Sequence, residues 1–149
     1  MSNLAAGDAQ LFEDTFTITT YDQSKYDRVA RLGCTSTDNQ TTMSLDINTE
    51  LLPIRAGVNI EVLLATSLSL DGTKDEDEEK GWRHVRGESN LADMYDYVCY
   101  GKIYKFEDGV DGQTIRAYIS FGGLLMQLEG PYKKLTPLRV ENAYLLVKK

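Results

Sequence analysis

The chain has 149 residues, with 16 Lys and Arg against 23 Asp and Glu, a net charge of −7 and a hydrophobic fraction of 42%. This length suits one domain with its own core, and the composition is that of a globular protein. The longest apolar runs fall far short of the ~20 residues of a membrane-spanning helix, so we expect no membrane segment. The acidic balance argues against strong non-specific nucleic-acid binding, which depends on Lys and Arg.

The start of the chain and its cysteines point to the cytosol or the nucleus. Residues 1–10 lack the basic patch and apolar core of a secretory signal. Cys34 and Cys99 are far apart in the sequence and too few for a disulfide framework. We therefore expect both cysteines to be reduced and to lie in the core.

Apolar and polar residues alternate through most of the first half, which is the pattern of strands with one buried face. Two strands are expected upstream, around residues 16–19 and 29–34. The clearest strands cover residues 42–48 and 58–65, separated by a turn at Pro53. We expect these last two strands to pair with each other in antiparallel fashion.

The second half repeats the alternation over residues 97–106, 115–121, 124–128 and 144–147. Gly122-Gly123 lacks the Gly-x-x-x-x-Gly-Lys pattern of a phosphate-binding loop, so we interpret this pair as a sharp bend. Helix is expected only as short turns, near residues 90–94 and 134–140. About eight short strands predict an all-β barrel or sandwich, and we favour a barrel because closure removes exposed sheet edges.

One interruption, from residue 71 to about residue 90, is too polar to be a strand. Residues 71–80 hold six acids and two lysines, a net charge of −4. Clustered like charges repel each other and favour a solvated, flexible loop. A calcium site is the alternative, but the segment lacks the ligand spacing and central glycine of an EF-hand. We therefore expect one domain over residues 1–149 with a long acidic loop.

The sequence contains no recognisable set of catalytic or metal-binding residues. The single histidine, His84, has no nucleophilic Ser or Cys motif near it, so a Ser-His-Asp or Cys-His enzyme is not expected. One histidine and two distant cysteines do not supply the four ligands of a structural zinc site. We predict no catalytic residue, no cofactor and no metal.

One candidate surface is aromatic. Tyr95, Tyr97, Tyr100, Tyr104 and Phe106 are so dense along one segment that some rings must face outward, whichever alternate set is buried. Tyrosine is enriched at buried protein contacts, which favours a protein-binding surface. The alternative is that these rings fill the barrel core and cover its ends.

A second candidate surface mixes basic and aromatic residues, as single-strand-binding barrels do. Lys25, Tyr26, Arg28 and Arg31 form it, close to Tyr21. The local net charge is only +1, because Asp22 and Asp27 lie in the same stretch. Ordinary solvated charges on an edge strand therefore remain the alternative.

Six stretches together resemble a known protein family. They are residues 44–48, 89–98, 100–107, 120–126, 128–130 and 141–146. The family is the small subunit shared by the eukaryotic nuclear RNA polymerases I, II and III, the eighth in the polymerase II series, and the resemblance is closest to its fungal members. It runs from about Leu11 to Lys149, and residues 71–88 diverge.

The resemblance implies an eight-stranded antiparallel barrel similar to the oligonucleotide- and oligosaccharide-binding (OB) fold. It implies a non-catalytic structural and assembly subunit, in the nucleus and nucleolus, that docks on the largest subunit of each polymerase near the pore. We expect these partner-binding residues: Tyr95, Tyr97, Tyr100, Tyr104, Phe121, Gly122, Gly123 and Leu124. It further suggests weak single-stranded DNA binding through residues 22–45, by Lys25, Tyr26, Arg28 and Arg31. The alternative function is a single-stranded nucleic-acid-binding module of the OB type.

Overall fold

The computed structural model describes residues 10–24, 27–68, 91–109 and 112–149. Its helical parts are a 3-10 turn at Leu91–Met94 and one helical turn, α1, at Tyr132–Leu135. The strands are β1 (Gln10–Asp22), β2 (Val29–Ser36), β3 (Thr42–Asn48), β4 (Asn59–Ala65), β5 (Tyr97–Asp108), β6 (Thr114–Phe121), β7 (Leu124–Pro131) and β8 (Asn142–Lys148). In the part of the chain that is described, no helix is long and apolar enough to cross a membrane.

The eight strands form one closed barrel in the order β1-β2-β3-β7-β6-β5-β8-β4, and β4 returns to β1. Every neighbouring pair is antiparallel. Because the barrel is closed, each of these eight strands has a hydrogen-bonded neighbour on both sides. This protects the sheet from edge-to-edge aggregation. The predicted all-β fold and the preference for a barrel are confirmed.

The predicted pairing between the strands at residues 42–48 and 58–65 is wrong. β3 pairs with β2 and β7, whereas β4 pairs with β1 and β8. The connection between them is too long for a tight hairpin and crosses one end of the barrel instead. It is held against β1, where the Gly57 amide donates to the Ile18 carbonyl at 2.8 Å. Alternation assigns the faces of a strand but not its neighbours, which explains the error.

The interior is filled by alternate residues of all eight strands, as period-two alternation requires. Its largest fully buried side chains include Phe16, Ile18, Leu32, Leu45, Ile47, Ile60, Ile103 and Ile119. Both cysteines are free, as expected: Cys34 is buried, and Cys99 is half-buried against the core. Each fully buried large apolar side chain contributes about 1.5–3 kcal/mol, so this interior is the main source of stability.

A second, smaller cluster is buried on the outside of the barrel. Leu63 and Ala65 of β4 face outward beside Leu146 of β8, and all three are nearly inaccessible. Tyr95 and Tyr144 pack against them. The outer side of β4 and β8 is therefore apolar and partly covered by the chain's own residues.

The opposite end of the barrel from the Gly122-Gly123 turn is tied together by a bridging lysine. Lys134 of α1 donates to Asp14 of β1 at 2.8 Å and to Asp38 of the β2–β3 connection at 2.9 Å. Hydrogen bonds from Ser36 and Lys134 hold the pKa of Asp38 well below its ordinary value. These contacts fix α1 over the barrel end at neutral pH.

Candidate docking surface

Four of the eight predicted partner-binding residues are exposed. Tyr100 and Tyr104 of β5 each keep 44% of their surface accessible. Gly122 and Gly123 form the exposed turn between β6 and β7. These four residues are therefore available to a partner in the free chain.

The other four are wholly or partly enclosed by the barrel. Tyr97 and Phe121 are only 4% and 7% exposed and belong to the core. Leu124 is half-buried against that core, and Tyr95 is half-buried in the outer cluster. Tyr97 and Phe121 support the strands from inside, so a contribution from them to docking would be indirect.

Tyr97 links two sides of the barrel through its interior. Its side chain starts on β5, and its hydroxyl oxygen accepts a hydrogen bond from the Asn48 amide at the end of β3, at 3.1 Å. Burial raises the pKa of Tyr97 above its ordinary value, so the hydroxyl stays neutral. This hydrogen bond satisfies a backbone donor that would otherwise lack an acceptor inside the barrel end.

Close approach of two strands fixes the position of Tyr100. A Cβ atom on the next residue, Gly101, would lie 2.2 Å from the Ser120 carbonyl oxygen and 2.5 Å from the Phe121 ring. Only glycine permits this spacing of β5 and β6. Tyr100 then faces outward and packs against Tyr144 of β8, with ring centroids 4.7 Å apart.

The Gly122-Gly123 turn directs the start of β7. Its residues have φ values of 64° and 101°, which other L-residues rarely adopt. The predicted sharp bend is therefore confirmed, and it brings Leu125 opposite Ser120 on the outer side of the barrel. Leu125 is 42% exposed there.

Exposed apolar side chains lie on the outer side of β5 and β7, the two strands that pair with β6. We call Val98, Tyr100, Tyr104 and Leu125 the apolar face. Val98 and Leu125 were not among the predicted residues, and Val98 is 36% exposed. The signal that would have found Leu125 is an apolar residue at an outward position, between Leu124 and Met126, which point inward.

Charged residues beside the apolar face neutralise one another. The Tyr118 hydroxyl donates to Glu107 at 2.8 Å, and the Lys105 ammonium lies 5.2 Å from the centre of the Tyr118 ring. Arg116 forms ion pairs with Glu107 at 3.4 Å and with Glu129 at 3.5 Å. Hydrogen bonds from Tyr118 and Lys105 lower the pKa of Glu107, so its carboxylate stays ionised at neutral pH. This network makes a polar rim.

The two predicted nucleic-acid residues that the structure describes, Arg28 and Arg31, lie in and just before β2, whose neighbour β3 pairs with β7 of the apolar face. We call the outer side of β1, β2 and β3, with their connections, the polar face. Arg28 forms an ion pair with Glu50 at 3.2 Å, and Arg31 forms one with Asp46 at 2.7 Å. Lys25 and Tyr26 lie outside the described residues. Both described arginines are thus paired with carboxylates of the chain itself.

Comparison with known proteins now identifies the family. The family model described as "RNA polymerase Rpb8" matches residues 13–149. The chain belongs to the Rpb8 family. The resemblance derived from the six sequence stretches is therefore confirmed.

Relatives of this Rpb8-family chain match it over nearly their whole length. The Saccharomyces cerevisiae protein "DNA-directed RNA polymerases I, II, and III subunit RPABC3" is 45% identical, covering 93% of this chain and 97% of the relative. A Caenorhabditis elegans protein with the corresponding name, marked probable, is 38% identical, covering 93% and 95%. The Arabidopsis thaliana "DNA-directed RNA polymerases II, IV and V subunit 8B" is 36% identical, with the same coverage.

The Rpb8-family match includes the apolar face and the polar face. Among the described residues, no three His, Cys, Asp or Glu side chains lie close enough to hold a metal ion. A cavity of about 300 Å³ near α1 is lined mainly by apolar side chains, among them Phe106, Ile115, Tyr132 and Leu138. Of these features, the apolar face contains two of the predicted partner-binding residues, Tyr100 and Tyr104.

Proposed function

We propose that this chain is a non-catalytic structural and assembly subunit shared by RNA polymerases I, II and III. The names and full-length coverage of its relatives support this role. As a subunit of the nuclear polymerases the chain acts in the nucleus, and with polymerase I it acts in the nucleolus. Its contribution to transcription is structural, because it binds other subunits and supports assembly of the polymerase.

The chain docks through the apolar face on the largest subunit of each polymerase, near the pore. One observation carries this part of the proposal: four side chains of the apolar face stay 36–44% exposed, at outward positions where alternation predicts polar residues. Permanent interfaces often bury more than ~2,000 Å² and are more apolar than the rest of the surface. A few anchors dominate their affinity, and tyrosine is common among these.

Purification of the tagged chain from cells tests the proposed function. The largest subunits of all three polymerases should remain bound at high salt, because an apolar interface is not screened by ions. The double variant Tyr100→Asp, Leu125→Asp should lose them while its thermal unfolding stays close to that of the original chain. Mass spectrometry of the bound proteins gives the result.

Matched controls are available on other exposed apolar residues. Leu51 and Val140 are 66% and 59% exposed and lie outside the apolar face. Leu51→Asp and Val140→Asp should leave the polymerases bound. Release by these controls, or retention by the double variant, would contradict docking through the apolar face.

Weak binding of single-stranded nucleic acid by Lys25, Tyr26, Arg28 and Arg31 stays a prediction. The ion pairs of Arg28 and Arg31 reduce the positive potential that phosphates would meet. Such binding should fall steeply with salt and disappear in the variant Lys25→Glu, Arg28→Glu. Filter binding of an oligonucleotide at rising salt measures it.

A further inference from the structure

The ladder between β3 and β7 ends early, beside the turn of the apolar face. Its last backbone pair is Leu45 opposite Met126. At the next position, the Leu125 amide donates to Asp46 Oδ2 at 3.1 Å. A side-chain carboxylate therefore takes the place that a strand carbonyl would occupy.

The same carboxylate is held by an arginine on the neighbouring strand. Arg31 of β2 lies opposite Asp46 in the strand register. Its Nε donates to Oδ1 at 2.7 Å and its Nη2 to Oδ2 at 3.1 Å. Asp46 is only 8% exposed, so its oxygens meet these donors with little competition from water. A two-point pair of this kind fixes the orientation of the carboxylate as well as its position.

We propose that the Arg31–Asp46 pair is a positioning device for docking, which holds the Leu125 backbone so that its side chain is presented to the largest subunit. This inference rests on the proposed function and extends it to two residues outside the apolar face. Arg31 then serves protein docking from beside the interface, on the outer side of the barrel, although its sequence context suggested contact with nucleic acid.

The glycine turn explains why such a device is needed. Gly122 and Gly123 have wide conformational freedom, and a free turn would lose much of it on binding a partner. A hydrogen bond from Leu125 to a fixed carboxylate restricts the turn before binding. Restriction in the bound geometry raises affinity because less entropy is lost when the complex forms.

Three variants test the pair, and one carboxylate serves as a control. Asp46→Ala removes both contacts, Arg31→Ala removes the support of Asp46, and Arg31→Lys keeps the charge but loses the two-point geometry. The control, Asp14→Ala, removes another ion-paired carboxylate, whose side chain is 14% exposed against 9% for Asp46. It pairs with Lys134 at the opposite end of the barrel.

Two measurements on the full chain separate positioning from stability. The first is amide hydrogen exchange at Leu125, followed by NMR. The second is the affinity for polymerase II depleted of this subunit. Loss of a hydrogen bond to a charged acceptor changes the equilibrium constant of the process that depends on it by about tenfold to hundredfold. We expect that change in Leu125 exchange and at least a tenfold weaker affinity for Asp46→Ala. Arg31→Lys should give smaller shifts in both, and Asp14→Ala should change neither.

The outcomes distinguish this inference from the docking proposal. Faster exchange at Leu125 with unchanged affinity would overturn the positioning role while docking through the apolar face stands. Unchanged affinity in Leu125→Asp would instead overturn docking through that face. If Asp46→Ala unfolds, Arg31→Lys decides: equal losses of global stability and of affinity would show a structural role only and overturn the inference.

Discussion

The two faces of the barrel differ in how their outward residues are satisfied. On the polar face, Thr17 donates to Asn59 at 2.7 Å, and Arg31 pairs with Asp46. On the apolar face, Tyr100 and Leu125 leave more than two fifths of their surface in water. On both faces, the same alternation of inward and outward residues along each strand sets which side chains reach the surface. The difference shows that polar groups of the polar face are bonded within the chain, whereas the apolar face leaves apolar surface in water that a docked partner would cover.

The free energy that docking on the apolar face would contribute follows from the hydrophobic effect. Removing apolar surface from water contributes roughly 25 cal/mol per Å². Ion pairs exposed to solvent contribute about 0–1 kcal/mol and are weakened by salt. A permanent, salt-resistant contact is therefore expected on the apolar face rather than on the polar face.

The largest effect is expected in the outer cluster of β4 and β8, which lies beside the apolar face and is partly covered by the chain's own residues. Leu146 is fully buried on the outer side of β8. Leu146→Ala should lower the free energy of unfolding by about 2–5 kcal/mol, because it leaves a cavity in the outer cluster. Leu125→Ala, at an exposed position, should stay within about 0.5 kcal/mol. Urea unfolding compares them, and equal losses would contradict the division into covered and exposed parts.

A smaller effect is expected for Tyr97, whose side chain links β5 of the apolar face to β3 of the polar face through the barrel interior. Tyr97→Phe removes the acceptor of the Asn48 amide and should cost about 1–3 kcal/mol of stability. Tyr104→Phe, on the apolar face, keeps the exposed ring and should cost much less. Thermal unfolding of both variants provides the measurement. A loss in Tyr104→Phe that matches Tyr97→Phe would show that the Tyr97 link is unimportant.

A pH effect of similar or smaller size is expected behind the polar face. Burial raises the pKa of the Cys34 thiol on β2 to about 12. The unfolded thiol ionises near pH 8.5, so the stability from the neutral buried thiol is complete below that pH and is lost as pH rises toward 12. The loss at pH 10 should be about 2 kcal/mol. Urea unfolding from pH 7 to pH 10 should show this decline in the original chain.

The matched variant is Cys34→Ala, which has no thiol to ionise. Its stability at neutral pH should be lower because of the cavity, but its decline toward pH 10 should be smaller. The same slope in both proteins would show that Cys34 does not titrate as its burial requires.

The smallest effect is expected for the ion pair between Arg28 and Glu50. Both side chains are largely exposed, so a double-mutant cycle with alanine should give a coupling below about 1 kcal/mol. Polymerase binding should not change in either single variant. Loss of the polymerase from Arg28→Ala would move the docking contact toward the polar face.

Sequence alternation predicts the faces of strands well because each strand has one side in the core. Ile119 and Met126 lie inward as expected, and Arg116 and Gln127 lie on the outer side. Strand neighbours were harder to predict, because the pairing of β3 with β7 joins residues far apart in the sequence. No local pattern encodes that contact.

The site was predictable only in part for the same reason. Aromatic density located Tyr100 and Tyr104, but it did not show that Tyr97 points inward to Asn48. Arg31 resembled a nucleic-acid contact because its partner, Asp46, lies on another strand. The acidic segment at about residues 71–90 lies outside the described residues, so its predicted loop stays a prediction.

Site-specific photo-crosslinking within assembled polymerase II tests the difference between the two faces most directly. A photoreactive amino acid would replace Tyr100 on the apolar face or Thr19, an exposed residue of β1 on the polar face. Position 100 should crosslink to the largest subunit, and position 19 should not. Crosslinks from position 19 alone would contradict docking through the apolar face.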